Sequence, residues 1–339
     1  MHRPVGDRVS SSGAPKGRTE ESLSYSASAL DKDARTMDIR AALKEGMARL
    51  RAAQVPSHTL SAELLLMSTL GCDRAWLYTH PEAPLDSIAS DKYFTLVARR
   101  AAGEPTQYLT GKQEFWGLEF EVTPAVLVPR PETEHVVEVA LERLGVRGIK
   151  IRMDTGAPSP PLRIADVGTG SGCLAIALAR ELPHAEIFAT DISAAALEVA
   201  RRNATHHGVS DRIHFLQMDL LEGFLRESPI TRHESLPFDL IVSNPPYVAR
   251  NEAASLPPEV GEHEPETALF GGPTGIEIYA QLIQQAGSLL CAGGILVLEL
   301  GYGAVDRVRA MVVAQSGWLN ISVTNDLAGV PRVLAAERI

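Results

Sequence analysis

The residue types that could do chemistry gather first in Ser243-Asn244-Pro245-Pro246-Tyr247, directly after the apolar run Phe238-Asp239-Leu240-Ile241-Val242. An apolar, β-branched run stopped by two prolines reads as a buried strand ending in a stiff turn, because proline fixes its own φ and cannot donate to a sheet ladder. Asn244 precedes a proline, which confines it to extended backbone and aims its carboxamide in one direction. An isolated Asn-Pro dipeptide is usually an ordinary strand end. Asn-Pro-Pro-aromatic after a buried strand is much rarer and reads as a built site.

A second constellation lies upstream. Ile164-Ala165-Asp166-Val167-Gly168-Thr169-Gly170-Ser171-Gly172 is a strand running into a glycine-rich turn that opens a helix. Glycines there let the backbone take strained angles and approach a ligand, whose anionic part can sit at the helix N-terminus. Gly170, Gly172 and Ala175 also satisfy the loose dinucleotide fingerprint, so the glycines alone leave a nicotinamide cofactor open. Asp191, at the end of the next strand, is placed for ribose hydroxyls in either case. Asp166 would be unwelcome beside two phosphates but welcome near an amine or sulfonium. Asp219, after the third strand, supplies an acceptor for an adenine amino group. Three acids at strand C-terminal ends, where open α/β sheets bind ligands, favour a cation-bearing nucleotide.

These residues need a scaffold, and the chain has length for two domains: 339 residues with 45% hydrophobic content. From Leu162 onward short apolar runs alternate with helical segments, the pattern of a mostly parallel sheet wrapped by helices. Strands are predicted at 163–167, 186–190, 212–217, 238–242, 294–300, 319–324 and 332–337. Helices are predicted at 173–182, 194–207, 275–290 and 303–315. No helix-length spacer separates the last two strands, so they should pair as an antiparallel hairpin. Ahead of this, Ile39, Leu43, Met47 and Leu50 open a helical region on one stripe. It continues with Leu60, Leu64 and Met67, a third helix from near Asp73, and a fourth over 87–102. QEFWGLEFEV at 113–122 reads as a hairpin about Gly117. In Pro129-Arg130-Pro131-Glu132-Thr133-Glu134 the prolines stiffen the start of a helix with acids in its first turn, where capping alone could account for Glu132 and Glu134. The resulting division is a disordered, idle tail over 1–36 with Met37 as an alternative start, a helical docking domain over 37–110, a hairpin linker over 111–130, and the sheet domain over 131–339. A surface loop is expected at 150–161.

Together, the glycine turn, Asp191 and Asn244-Pro245-Pro246-Tyr247 resemble a class I S-adenosylmethionine-dependent methyltransferase acting on an amide or exocyclic amine. Pro105-Thr106-Gln107-Tyr108, Glu114-Phe115-Trp116-Gly117, PRPETE at 129–134, Glu264-Pro265 with Ala268-Leu269, and Asp326-Leu327-Ala328-Gly329 narrow this. From Met37 to the end the chain resembles the bacterial release-factor glutamine N5-methyltransferases, the HemK/PrmC family. The resemblance implies S-adenosyl-L-methionine as cofactor and a Rossmann-like sheet. It implies that Gly168, Thr169, Gly170, Ser171 and Gly172 meet the methionine part, with Asp166 beside them, Asp191 the ribose, and Asp219 with Leu220 the adenine. Some members carry tryptophan where this chain has Leu220, so adenine packing there is expected to be aliphatic. Asn244 and Pro245 would hold the acceptor amide, with Pro246 and Tyr247 around it and Phe115 and Glu132 as further substrate-side candidates. The segment 227–234 exceeds the usual outline of the family.

The implied substrate is the glutamine of the Gly-Gly-Gln loop of class 1 peptide-chain release factors, docked partly by the helical domain. The rival is a DNA adenine N6-methyltransferase, which can use the same turn but needs a basic duplex-binding surface. The net charge is −10, and between Met37 and Glu104 eight basic side chains meet eight acidic ones. A protein partner suits that balance better than nucleic acid. A non-catalytic cofactor-binding scaffold is disfavoured by the presence of both the glycine turn and Asn244. Cys72, Cys173 and Cys291 show neither disulfide nor zinc spacing, so a reducing cytoplasm and no metal are expected. No apolar run approaches the roughly 20 residues of a membrane span. A monomer is the simplest expectation.

Overall fold

The computed structural model describes residues 37–146, 161–225 and 237–339. The tail expected to be disordered, the loop at 150–161 apart from Pro161, and the segment 227–234 therefore lie outside the described residues.

Four helices come first: α1 (Ile39–Ala52), α2 (His58–Leu70), α3 (Arg74–Thr79) and α4 (Ser87–Ala101). Asp38, Asp73 and Asp86 start α1, α3 and α4 by accepting a backbone N–H three residues on, so three helix starts are written in the sequence as aspartates. Their shared core holds Leu50, Leu65, Leu66, Tyr93 and Val97. After α5 (Thr106–Thr110), strands β1 (Lys112–Phe115) and β2 (Leu118–Glu121) form the expected hairpin. Its two turn residues, Trp116 and Gly117, both have positive φ, the backbone that matches strand twist in a two-residue hairpin loop. Trp116 N–H donates to Glu134 at 2.7 Å, which fastens the hairpin to the start of α6 (Glu134–Val146).

The remaining strands are β3 (Arg163–Val167), β4 (Glu186–Asp191), β5 (Ile213–Gln217), β6 (Phe238–Ser243), β7 (Leu290–Glu299), β8 (Trp318–Asn325) and β9 (Pro331–Arg338). They make one sheet of order β5-β4-β3-β6-β7-β9-β8. The first five are parallel; β9 inserts antiparallel between β7 and β8, so the expected C-terminal hairpin is present. Helices α7 (Cys173–Glu181), α8 (Ala194–His206), α9 (Glu277–Leu289) and α10 (Val305–Ala314) make the crossovers.

Side chains alternate across this sheet, and both faces are covered, which is why the central strands read as unbroken apolar runs. Ile164, Val242 and Val297 pack with Val136 of α6 and Ile176 of α7. Ala165, Ile241 and Leu296 pack on the other side with Leu282 of α9 and Val308 of α10. Between β6 and α9 the chain makes only short helical turns, at Arg250–Ser255, Pro258–Gly261 and Glu266–Leu269, where sequence periodicity predicts nothing. Among the described residues no helix is long and apolar enough to cross a membrane.

Candidate active site

The parallel strands end along one edge, and there a cavity of about 360 Å³ opens. Such a volume is within the range of small-molecule sites. Its floor is the glycine turn. Gly168 and Gly170 have φ of 72° and 56°, and a Cβ added to Gly168 would meet nothing within 4 Å, so the glycines present bare backbone to the space. Gly168 and Thr169 N–H both donate to the Thr190 carbonyl at 2.9 Å, which fixes the turn against β4.

Gly168, Thr169, Gly170, Ser171, Asp191, Asp219, Leu220, Asn244 and Pro246, all expected from the sequence, line this one cavity. Asp191 Oδ2 accepts from Gly170 N–H and Oδ1 from Ser193 N–H, each at 2.9 Å, so its carboxylate is aimed before any ligand arrives. Burial raises its pKa above the ordinary value, opposed by these backbone donors. Leu220 takes φ of 47°, a costly value for a branched side chain and one usually retained at functional positions.

Six expected residues lie off the cavity wall. Asp166 shares the sheet face of Ile164, and strand alternation turns it under the start of α7. There its Oδ2 accepts from Thr169 Oγ1 at 2.6 Å and Ala175 N–H at 3.0 Å. It braces the glycine turn from behind. Gly172 is a packing glycine, because an added Cβ would meet Ala200 Cβ and Ile176 Cδ1 at 3.1 Å. Phe115 is buried in the core edge-on to Phe120, with ring centroids 6.1 Å apart. Glu132 is half-buried beside the start of α6. Pro245, within the turn, has a buried ring. The Tyr247 ring turns away, close enough to Gly301 that a Cβ there would meet Tyr247 Cδ2 at 2.7 Å. Burial and the nearby Glu299 push the Tyr247 hydroxyl up to about 12.

Sequence reasoning missed two polar residues beside Asn244: Thr133, which also lines the cavity, and Glu299 beyond it. Thr133 Oγ1 donates to Glu299 Oε2 at 2.6 Å, and Asn244 Nδ2 donates to Thr133 Oγ1 at 3.0 Å. Only the assembled sheet reveals them: register pairs Ser243 with Leu298, so Asn244 and Glu299 are the next residues on adjacent strands. The wall formed by Pro265, Glu266, Thr267, Ala268 and Phe270 was also unassigned. Arg130 carries it, bonding Glu264 at 2.6 Å.

Asp166 also makes a pH prediction. Burial, assisted by Asp191 and opposed by Thr169 and the Ala175 N–H, pushes its carboxyl up to about 7 from the ordinary 3.8. The folded chain then holds a proton that the unfolded chain releases, so this stability is present below pH of about 4 and lost as pH rises through 7. Asp166→Asn should make the fall in urea midpoint between those pH values shallower. An unchanged slope would contradict a buried, titrating Asp166.

Bare glycine backbone, two acids at the ends of β4 and β5, and an aliphatic side chain at Leu220 fit a nucleoside joined to a cationic group. Comparison with known proteins agrees. Residues 41–111 match the PrmC N-terminal domain family and residues 155–256 the methyltransferase small domain family. The release factor glutamine methyltransferase of Koribacter versatilis is 41% identical over 302 residues, covering 89% of this chain and 99% of that protein. Its counterpart from Chlorobaculum tepidum is 42% identical over 293 residues, covering 86% and 95%. Among solved structures, the hMettl16 catalytic domain in complex with the MAT2A 3'UTR hairpin 6 is similar at TM-score 0.49 and 18% identity, covering 71% of this chain and 81% of that one. With 41% identity over 89% of this chain and 99% of the Koribacter versatilis relative, the chain belongs to the release factor glutamine methyltransferase family.

Proposed function

We propose that this enzyme transfers the methyl group of S-adenosyl-L-methionine to the side-chain amide nitrogen, N5, of the glutamine in the Gly-Gly-Gln motif of class 1 peptide-chain release factors. The observation that carries the reading is Asn244 on the cavity wall with its nitrogen tied to Thr133, which leaves its oxygen to accept from a substrate.

An amide nitrogen is a weak nucleophile because its lone pair is delocalised into the carbonyl, so the site must supply geometry. The sulfonium of the cofactor supplies an electrophilic methyl group. Gly168 to Ser171 would hold the methionine part, Asp191 the ribose hydroxyls, and Asp219 with Leu220 the adenine. Asn244 Oδ1 and the Pro245 backbone carbonyl would accept the two N–H bonds of the substrate amide and turn the nitrogen lone pair toward the methyl group. Orientation of this kind contributes on the order of 7–11 kcal/mol at its upper end. An N-methylated, protonated amide is strongly acidic and loses its proton to water, so no dedicated base is required. In this reading residues 37–110 dock the release factor, 111–130 link, and 131–339 carry the transfer. The enzyme is a cytoplasmic monomer whose partner is a protein and not a nucleic acid.

Asp191→Ala removes the ribose acceptor and the brace on Gly170 together. Cofactor affinity measured by calorimetry should fall roughly 10- to 100-fold, the worth of one charged hydrogen bond. Unchanged affinity would remove Asp191 from the ribose site. For the reaction as a whole, the protein should be incubated with labelled methyl donor and either a class 1 release factor or adenine-containing duplex DNA. Label in the release factor alone is expected, and label in DNA overturns the reading.

A further inference from the structure

Donor and acceptor chemistry sets the hydrogen-bond direction along Glu299, Thr133 and Asn244. A carboxylate can only accept, so the bond at 2.6 Å between Thr133 Oγ1 and Glu299 Oε2 uses the Thr133 proton. Thr133 Oγ1 has then only lone pairs to offer, and the group 3.0 Å away on Asn244 must be its NH₂. The carboxamide of Asn244 is thereby held with its oxygen on the opposite side. Thr133 and Glu299 are both buried, at 2% exposure each, so water does not compete for these bonds. Side chains from three separate parts of the chain converge here: the end of β6, the end of β7 and the turn before α6.

We propose that Thr133 and Glu299 are positioning residues that set the polarity of the Asn244 carboxamide, holding its oxygen toward the glutamine amide and keeping its NH₂ away from it. The proposal rests on the reading that Asn244 holds the acceptor amide. Were the carboxamide reversed, its NH₂ would face the NH₂ of the substrate, donor against donor, and the nitrogen lone pair would not be aligned. Protonation of Glu299 undoes the device: its O–H then donates to Thr133 Oγ1, and the Thr133 hydroxyl is free to donate to Asn244 Oδ1. Burial pushes Glu299 up to about 7. Thr133, Arg130 and Arg332 oppose the rise and Glu132 adds to it. Cys173 of α7, Tyr247 of the turn and Tyr279 of α9, whose hydroxyl bonds the Glu299 carbonyl at 2.9 Å, also face it. The active form is the carboxylate, so turnover is full above this pH and declines as pH falls through it.

The test uses Thr133→Val, Thr133→Ser, Glu299→Gln and Asn244→Ala, with kcat against pH and cofactor dissociation constant as readouts. Thr133→Val, which keeps shape and loses the hydroxyl, should lower kcat about tenfold, as expected for one net hydrogen bond. Its cofactor affinity should not change, and Thr133→Ser should restore kcat. The acidic limb of the wild-type kcat profile should be absent in both Thr133→Val and Glu299→Gln. If Asn244→Ala is inactive while Thr133→Val and Glu299→Gln keep wild-type kcat or the acidic limb, the positioning role is wrong and Asn244 stands. Full activity of Asn244→Ala would overturn both. If Thr133→Val does not fold, Glu299→Gln with Thr133→Ser decides by the same limb.

Discussion

Replacing Asn244 by alanine is expected to lower turnover by roughly 10²-fold or more, the cost of losing one oriented polar group at a reacting centre. Cofactor affinity should stay close to that of the parent, because Asp191, Asp219 and the glycine turn are untouched. The separation matters, since Asn244 shares the cavity with those residues and a general collapse would lower both quantities. Stopped-flow or single-turnover assays beside calorimetry distinguish them. Turnover near that of the parent would remove Asn244 from the chemistry.

Gly271→Ala should be nearly as damaging although Gly271 lies outside the Asn-Pro-Pro-Tyr turn. A Cβ at this position would stand 2.3 Å from the Pro246 carbonyl oxygen and 3.0 Å from Tyr247 Cα. Both are backbone, so the turn itself must move. Gly271 N–H also donates to the Val248 carbonyl at 3.0 Å, which keeps the two segments in contact. A displacement near 1 Å at a site built for orientation costs on the order of 10²-fold in rate. Turnover should fall by about that factor while far-UV circular dichroism reports a folded chain. Gly145→Ala in α6, where an added Cβ meets nothing within 4 Å, is the control and should leave turnover unchanged. Equal activity of the two variants would show that the turn tolerates displacement.

Much of this site is legible in the residues because its parts sit at strand ends. Asn-Pro-Pro after an apolar run and aspartates after β4 and β5 declare their places through turn chemistry and sheet topology. Asp166 shows the limit of that reading. Its type is right for a cation site, but strand alternation sends the side chain under α7, and which face a strand end presents is settled only by the assembled sheet. Phe115 fails in the same way: an aromatic beside a site is as easily core as wall, and here Phe120 completes its packing. The Thr133 and Glu299 pair and the Arg130 to Glu264 ion pair are illegible for another reason. Residues 166 and 134 positions apart meet only after folding, and no local periodicity announces them. The turns between 250 and 270 escape because their order comes from packing beside Pro246 to Val248 and not from a repeating apolar pattern.

In the proposed reaction Asn244 and its turn present acceptors to a glutamine amide. The most direct measurement is to methylate a class 1 release factor with labelled S-adenosylmethionine and locate the label by fragmentation mass spectrometry. A single added methyl group is expected on the side-chain nitrogen of the Gly-Gly-Gln glutamine, absent when that glutamine is replaced by alanine and formed roughly 10²-fold more slowly with Asn244→Ala. A methyl group on another residue, one that persists without that glutamine, or one formed at the parent rate by Asn244→Ala would contradict this.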